Sequence, residues 1–211
     1  MLAILDLDYT LLDTVAFGRD LGLIFADCGI DRETFVETYN RTISAGRSEY
    51  AYSVERHVSL VSGRATCTDA VLAERIYAHA DRASGYLFSD TRDFLERLRA
   101  GGLRTVLLTL GDESWQQRKV EASGLLPLLD ETVYVESDKA AALERFAEAK
   151  PPVFVVNDNC NEIAAMMKVA SGFHFLVKRS PKGLDSELDC ASFDTLTEIG
   201  DEIDRLIASD L

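Results

Sequence analysis

Five short apolar runs mark out the chain: Leu2–Leu5, Thr105–Leu108, Val133–Val135, Val153–Val156 and His174–Val177. They are rich in Val and Leu and do not alternate with polar residues, a pattern that predicts parallel strands buried on both faces. Helical patterns fill the gaps from residue 90 onward. Asp90–Arg99 sets Phe94, Leu95 and Leu98 on one face and stops at Gly101-Gly102. Ser114–Ser123, Lys139–Ala149 and Glu162–Ala170 follow, and Phe193–Leu211 reads as a last amphipathic helix. Strand and helix in regular succession predict βαβ units and a doubly wound parallel α/β sheet.

Residues 15–87 break that rhythm. They carry four helical patterns, Phe17–Cys28, Glu33–Ser44, Tyr50–Val61 and Asp69–Ala83, and no convincing strand. So long a stretch without a strand is expected to form a helical subdomain inserted after the first strand. The core would then comprise residues 1–14 and 88–211, with hinges near Asp13-Thr14 and Tyr86–Ser89.

Composition narrows the setting. The 211 residues are 47% hydrophobic, enough for one core of ordinary size carrying a modest insertion. No run approaches the ~18 uninterrupted apolar residues of a membrane helix. The opening Met1-Leu2-Ala3-Ile4-Leu5 has no basic region or cleavage site, so a cytoplasmic location is expected. The net charge of −14 argues against nucleic acid or an anionic membrane as partner. Cys28, Cys67, Cys160 and Cys190 are scattered and read as small buried thiols, not as disulfides or zinc ligands. His57, His79 and His174 are isolated and read as structural or exposed.

The chemistry begins where the first apolar run ends, at Asp6-Leu7-Asp8-Tyr9-Thr10. Residues two apart on a strand face the same side, so Asp6 and Asp8 point together. Two such carboxylates repel unless a cation or a shared proton compensates them. The segment resembles the Asp-x-Asp-x-Thr motif of the haloacid dehalogenase superfamily, in which the first Asp is phosphorylated. The resemblance makes Asp6 the nucleophile, Asp8 the acid and base for the leaving oxygen, and Thr10 a residue that ties down the phosphate-binding loop.

The same resemblance assigns three further motifs in chain order. Thr109, ending the second core strand, would hydrogen-bond the phosphoryl oxygens together with the N–H groups of Leu110 and Gly111. Lys139, in Glu136-Ser137-Asp138-Lys139, would bridge Asp6 and the phosphoryl group; Lys119, in mid-helix and before the third strand, is the competitor. Asp158 and Glu162, after the fourth strand, would complete a Mg²⁺ site with Asp6 and the main-chain carbonyl of Asp8, a hard oxygen set. Asn157 stands where most relatives have Gly, and Asn is the residue that best tolerates left-handed backbone angles in its place.

The resemblance therefore implies a Mg²⁺-dependent phosphohydrolase with an aspartyl-phosphate intermediate and a small phosphorylated substrate. Asp8 would need a pKa above the ordinary ~3.9 to protonate an alcohol at neutral pH. Dehalogenases of the superfamily lack an acid at that position, since halide leaves without a proton. A phosphomutase shares every motif, and a weakly catalytic phosphate-binding module is the alternative from another class. Arg19, Arg41, Arg47, Tyr50, Tyr52 and Arg56 are the candidates for contacting the rest of the substrate, with Tyr39, Tyr50 and Tyr52 reading more readily as core or interface residues than as ligand contacts.

Overall fold

A computed structural model describes residues 1–44, 51–146, 152–180 and 190–209. The first strand, β1 (Leu2–Leu5), leads into four helices: α1 (Thr14–Asp27), α2 (Arg32–Ser44), α3 (Val54–Val61) and α4 (Asp69–Ala80). A 3₁₀ turn at Ala83–Tyr86 returns the chain to α5 (Thr91–Ala100), β2 (Arg104–Leu110), α6 (Glu113–Ser123) and β3 (Glu131–Val135). Then come α7 (Lys139–Leu143), β4 (Val153–Asn157), α8 (Cys160–Met166), β5 (Phe173–Val177), β6 (Ala191–Phe193) and α9 (Leu196–Ala208).

The six strands form one parallel sheet in the order β3-β2-β1-β4-β5-β6. Successive side chains of β1 enter opposite cores. Ala3 and Leu5 pack with Leu95, Val120 and Ile199 beneath α5, α6 and α9, while Leu2 and Ile4 pack with Leu143 and Ile163 beneath α7 and α8. Burial on both faces explains why the strands read as continuous apolar runs. The fold is a doubly wound α/β sheet with helices inserted after the first strand. Its order reverses at β1 and β4, and open α/β sheets bind ligands outside the carboxyl ends of strands at that point.

The inserted helices enclose a third core of Phe17, Leu21, Phe25, Val58, Leu72 and Ile76, which Trp115 of α6 enters from the sheet side. His57 is wholly buried there, between the Tyr52 hydroxyl at 3.0 Å and the Thr38 hydroxyl at 2.9 Å. Thr38 donates to the Thr34 carbonyl, so its oxygen accepts from His57 Nε2–H and Nδ1 accepts from Tyr52. Burial pushes His57 down to about 4.

The cysteine expectation needs correcting. Cys28 and Cys67 are disulfide-bonded with their Cα atoms 5.3 Å apart, joining the end of α1 to the residue before the Thr68 cap of α4. Packing of α1 on α4 brings together two cysteines 39 residues apart, a relationship that their spacing does not encode. Among the described residues, no helix is long and apolar enough to cross a membrane. Two expected substrate contacts, Arg47 and Tyr50, and the last residues of the helix expected over Lys139–Ala149, lie outside the described residues.

Candidate active site

The carboxyl ends of β1, β2 and β4 open into a cavity of about 170 Å³ between the sheet and the inserted helices. Asp6 and Asp8 follow β1 directly, with Leu7 between them in the core, so the strand's alternation persists past its last paired residue. The turn after them is tight. Tyr9 has φ 59°, a left-handed conformation that costs a side chain about 1–3 kcal/mol, and its N–H is held by Thr14 Oγ1 at 3.0 Å.

Asp6 is buried and touches Lys139 Nζ, the first residue of α7, whose ammonium also lies 2.7 Å from Glu162. Burial alone would push Lys139 down, but Asp6 and Glu162 outweigh it and hold the ammonium charged. Burial raises the Asp6 carboxyl against the pull of Lys139, with Glu162 and Asp8 adding to the rise. Asp158, at the end of β4, is pushed up to about 8 by burial first and by neighbouring Asp6 second.

Asp8 has a separate set of partners. Lys119 Nζ stands 2.8 Å from both of its oxygens, Gln116 Nε2 donates to one at 2.9 Å, and the Thr14 hydroxyl donates to the other at 2.9 Å. Burial raises the Asp8 carboxyl, but Lys119 and these hydrogen bonds together bring it below the ordinary carboxylate range. The expectation of a raised Asp8 pKa is thus overturned in this arrangement. Lys119 and Lys139 are not competitors for one carboxylate: each serves its own.

Several expected phosphate contacts are directed elsewhere. The Gly111 N–H donates to the Val135 carbonyl of β3 at 2.9 Å, so it is not offered to a ligand. Glycine suits position 111, because at φ 148° a side chain is strained and its Cβ would crowd the Gln116 side chain at 3.0–3.2 Å. Thr10 and Thr109 are fully buried behind the cavity wall. Thr10 donates to Asp6 Oδ2 at 3.4 Å, and Thr109 accepts from Gln116 at 3.1 Å. Leu110 lines the cavity, and its carbonyl accepts from Gln116 at 2.6 Å.

Asn157 takes no left-handed turn. It ends β4, its Oδ1 accepts from the Asn159 N–H at 2.8 Å, and its Nδ2 donates to Glu162 at 2.9 Å. Asn159 then caps α8 by accepting from the N–H groups of Asn161 and Glu162. Glu162, expected as a metal ligand, directs one oxygen, Oε2, at both Lys139 and Asn157. As the side chains stand, no three acidic, imidazole or thiol groups among the described residues converge closely enough to hold a metal.

The donor set nonetheless fits a divalent cation. The cavity wall carries four carboxylates, Asp6, Asp8, Asp158 and Glu162, and two ammonium groups, Lys119 and Lys139, leaving two negative charges in excess. Burial and the neighbouring Asp6 both disfavour the Asp158 charge, and a hard dication beside the two would offset that repulsion.

Lys119 enters the sequence reading only as a rival to Lys139 for Asp6, and Gln116 escapes a motif search because it lies within α6, not at a strand end. Trp115, Gln116, Lys119, Val120 and Ser123 are its buried residues, a helical stripe that turns one face to the cavity and core. Of the expected substrate contacts, Tyr52 lines the cavity, whereas Arg19 pairs with Asp20, Arg41 with Glu37, and Arg56 with the Thr42 carbonyl.

A family model for haloacid dehalogenase-like hydrolases matches residues 1–170. The chain belongs to the haloacid dehalogenase-like hydrolase family. Solved members share its architecture at low identity. A haloacid dehalogenase-like hydrolase from Burkholderia xenovorans LB400 superimposes with TM-score 0.79 and 19% identity, over 98% of this chain and 97% of that one. A protein described as a predicted phosphoglycolate phosphatase from Haemophilus somnus 129PT gives 0.64 and 17%, over 96% and 97%. The L-2-haloacid dehalogenase of Xanthobacter autotrophicus gives 0.66 and 15%, over 97% and 99%. No curated protein matches the chain. At these identities the solved relatives establish the fold alone. Within the haloacid dehalogenase-like hydrolases, the choice of chemistry therefore rests on side chains.

Proposed function

We propose that this hydrolase cleaves phosphoric monoesters through an aspartyl phosphate on Asp6. The observation that carries the reading is the second carboxylate, Asp8, on the same cavity wall as Asp6 but held by different partners. Displacement of halide needs a nucleophile and no proton donor, whereas an alkoxide leaving group needs a proton. In this reading Asp8 exchanges that proton.

In this mechanism Asp6 attacks phosphorus and expels the alcohol, and water then attacks the aspartyl phosphate, so that one displacement becomes two easier ones. Lys139 balances charge on Asp6 and on the phosphoryl oxygens as it builds. Asp8 gives a proton to the alcohol and takes one from water. Its resting ion pair with Lys119 favours the carboxylate, the form needed for the second step. The first step draws on the acid form, so substrate entry must weaken the Lys119 contact. Asp6 and Asp158 would hold Mg²⁺, which when bound supplies charge stabilisation to the transferring phosphoryl group.

The test is turnover of phosphate esters with Mg²⁺ by the wild type and by Asp6→Asn. Phosphate release by the wild type and its loss in the variant is expected. Equal release by both, or release of halide from 2-haloacids with no phosphatase activity, would overturn the assignment.

A further inference from the structure

We infer that the leaving group of the substrate is a small uncharged body, aromatic or compactly apolar, an inference that rests on the phosphatase reading and extends it. The cavity is divided by chemistry. Its sheet side carries the carboxylates and both lysines, and the rest is walled by Phe17, Leu21, Tyr39, Ile43 and Tyr52 of the inserted segment, with Trp115 of α6 reaching in beside them.

The wall follows from helical spacing. Phe17 and Leu21 are four apart on α1, Tyr39 and Ile43 four apart on α2, so each helix turns an adjacent pair to the same space. The aromatic rings form a continuous series. Ring centres lie 6.1 Å apart for Phe17 and Trp115, 5.0 Å for Trp115 and Tyr52, and 5.5 Å for Tyr52 and Tyr39. Tyr52 spends its hydroxyl on His57 inside the helical core, leaving its ring for the cavity. Among the described residues the lysines at the cavity, Lys119 and Lys139, are engaged by Asp8 and by Asp6 with Glu162.

A phosphoryl group placed at Asp6 therefore sends its ester oxygen past Asp8 toward rings and aliphatic side chains. A second phosphate or a carboxylate on the leaving group would be desolvated against that wall. A ring or branched alkyl group would bury apolar surface there and gain offset or edge contacts with the aromatic series. Volume sets the upper limit. A cavity of roughly 150 Å³ accommodates benzene alone, so about 170 Å³ leaves no room beside the phosphoryl group for a body larger than one ring.

The experiment compares benzyl phosphate with glycerol phosphate and phosphoglycolate, all with Mg²⁺, in the wild type, Tyr39→Ser and Ile43→Asn. Both substituted positions are only half-buried, so the variants are expected to fold, which their melting curves verify. The wild type should favour benzyl phosphate by about tenfold or more in kcat/KM, mainly through KM. Each variant should cut that ratio by roughly three- to tenfold. Calorimetry with benzylphosphonate and phosphonoacetate reads the same wall without turnover. Tighter binding of benzylphosphonate supports the assigned ligand class even if no ester is hydrolysed, an outcome that would defeat the hydrolase reading alone. Hydrolysis with equal or greater preference for the polar esters overturns the inference and leaves the hydrolase reading intact. Absence of both hydrolysis and phosphonate binding overturns both.

Discussion

Lys119 holds Asp8 through both carboxylate oxygens, at 2.8 Å each, from the buried face of a helix that carries no other lysine. The pair couples the acid and base of the proposed reaction to α6. Lys119→Met should raise the pKa of Asp8, since burial then acts with less opposition. A group that must be protonated to act loses activity as pH rises through its pKa. The alkaline limb of kcat/KM for an unactivated ester should thus move to higher pH. Gln116 and Thr14 still solvate the carboxylate, so the stability loss should be about 1–3 kcal/mol. An unmoved limb in a folded variant would separate Asp8 from the proton transfer.

Asp6→Asn should reduce turnover by at least about 10³-fold while the melting temperature holds or rises. Burial already disfavours the Asp6 charge, and an amide of the same shape removes that penalty while Glu162 continues to engage Lys139. Single-turnover phosphorylation and thermal melts of the same preparation check both halves.

Mg²⁺ should stabilise the protein in the absence of substrate, because it compensates Asp6 and Asp158. At a hundred times its Kd a ligand adds about 2.7 kcal/mol, or roughly 5–10 °C in a chain of this size. Asp158→Asn should abolish the shift. Glu162→Gln should retain most of it, since Glu162 is directed at Lys139. A shift lost equally in both variants would place Glu162 among the direct ligands.

His57 should make the fold acid-sensitive. Its pKa is depressed by burial to about 4, against about 6.5 in the unfolded chain. Between those values the unfolded state binds more protons, so stability rises with pH there. The contribution is complete above pH ~6.5 and declines as pH falls toward ~4, by on the order of 3 kcal/mol. Chemical denaturation at pH 7 and pH 4.5 on wild type and His57→Gln checks this; the variant should show a shallower difference.

The strands of the sheet centre were legible because each is a short apolar run with polar neighbours, as in Val153–Val156 ahead of Asn157. Strand β6 was not, since three partly exposed residues at a sheet edge carry no periodic signal. Asp6, Asp8 and Asp158 stood out because carboxylates at strand ends interrupt the apolar pattern, and Lys139 because the resemblance places a lysine near the start of a helix, here α7. What could not be read was where each group directs its bonds. The Gly111 N–H goes to Val135 and Glu162 to Lys139, contacts fixed only when distant segments pack. Lys119 illustrates the same point from the other side: in the sequence it reads as a rival for Asp6, and only the packing of α6 shows that its partner is Asp8.

Trp115 belongs to α6 by sequence and to the core of the inserted helices by packing, and it is the chain's single tryptophan. Its indole touches both sides of the cleft and borders the cavity, with Phe17 and Tyr52 as ring neighbours from the inserted segment. The protein thus carries its own fluorophore at the seam. Displacement of α1–α4 from the sheet, or arrival of a ligand at the aromatic wall, alters the emission of one residue, with no label and no background from another indole.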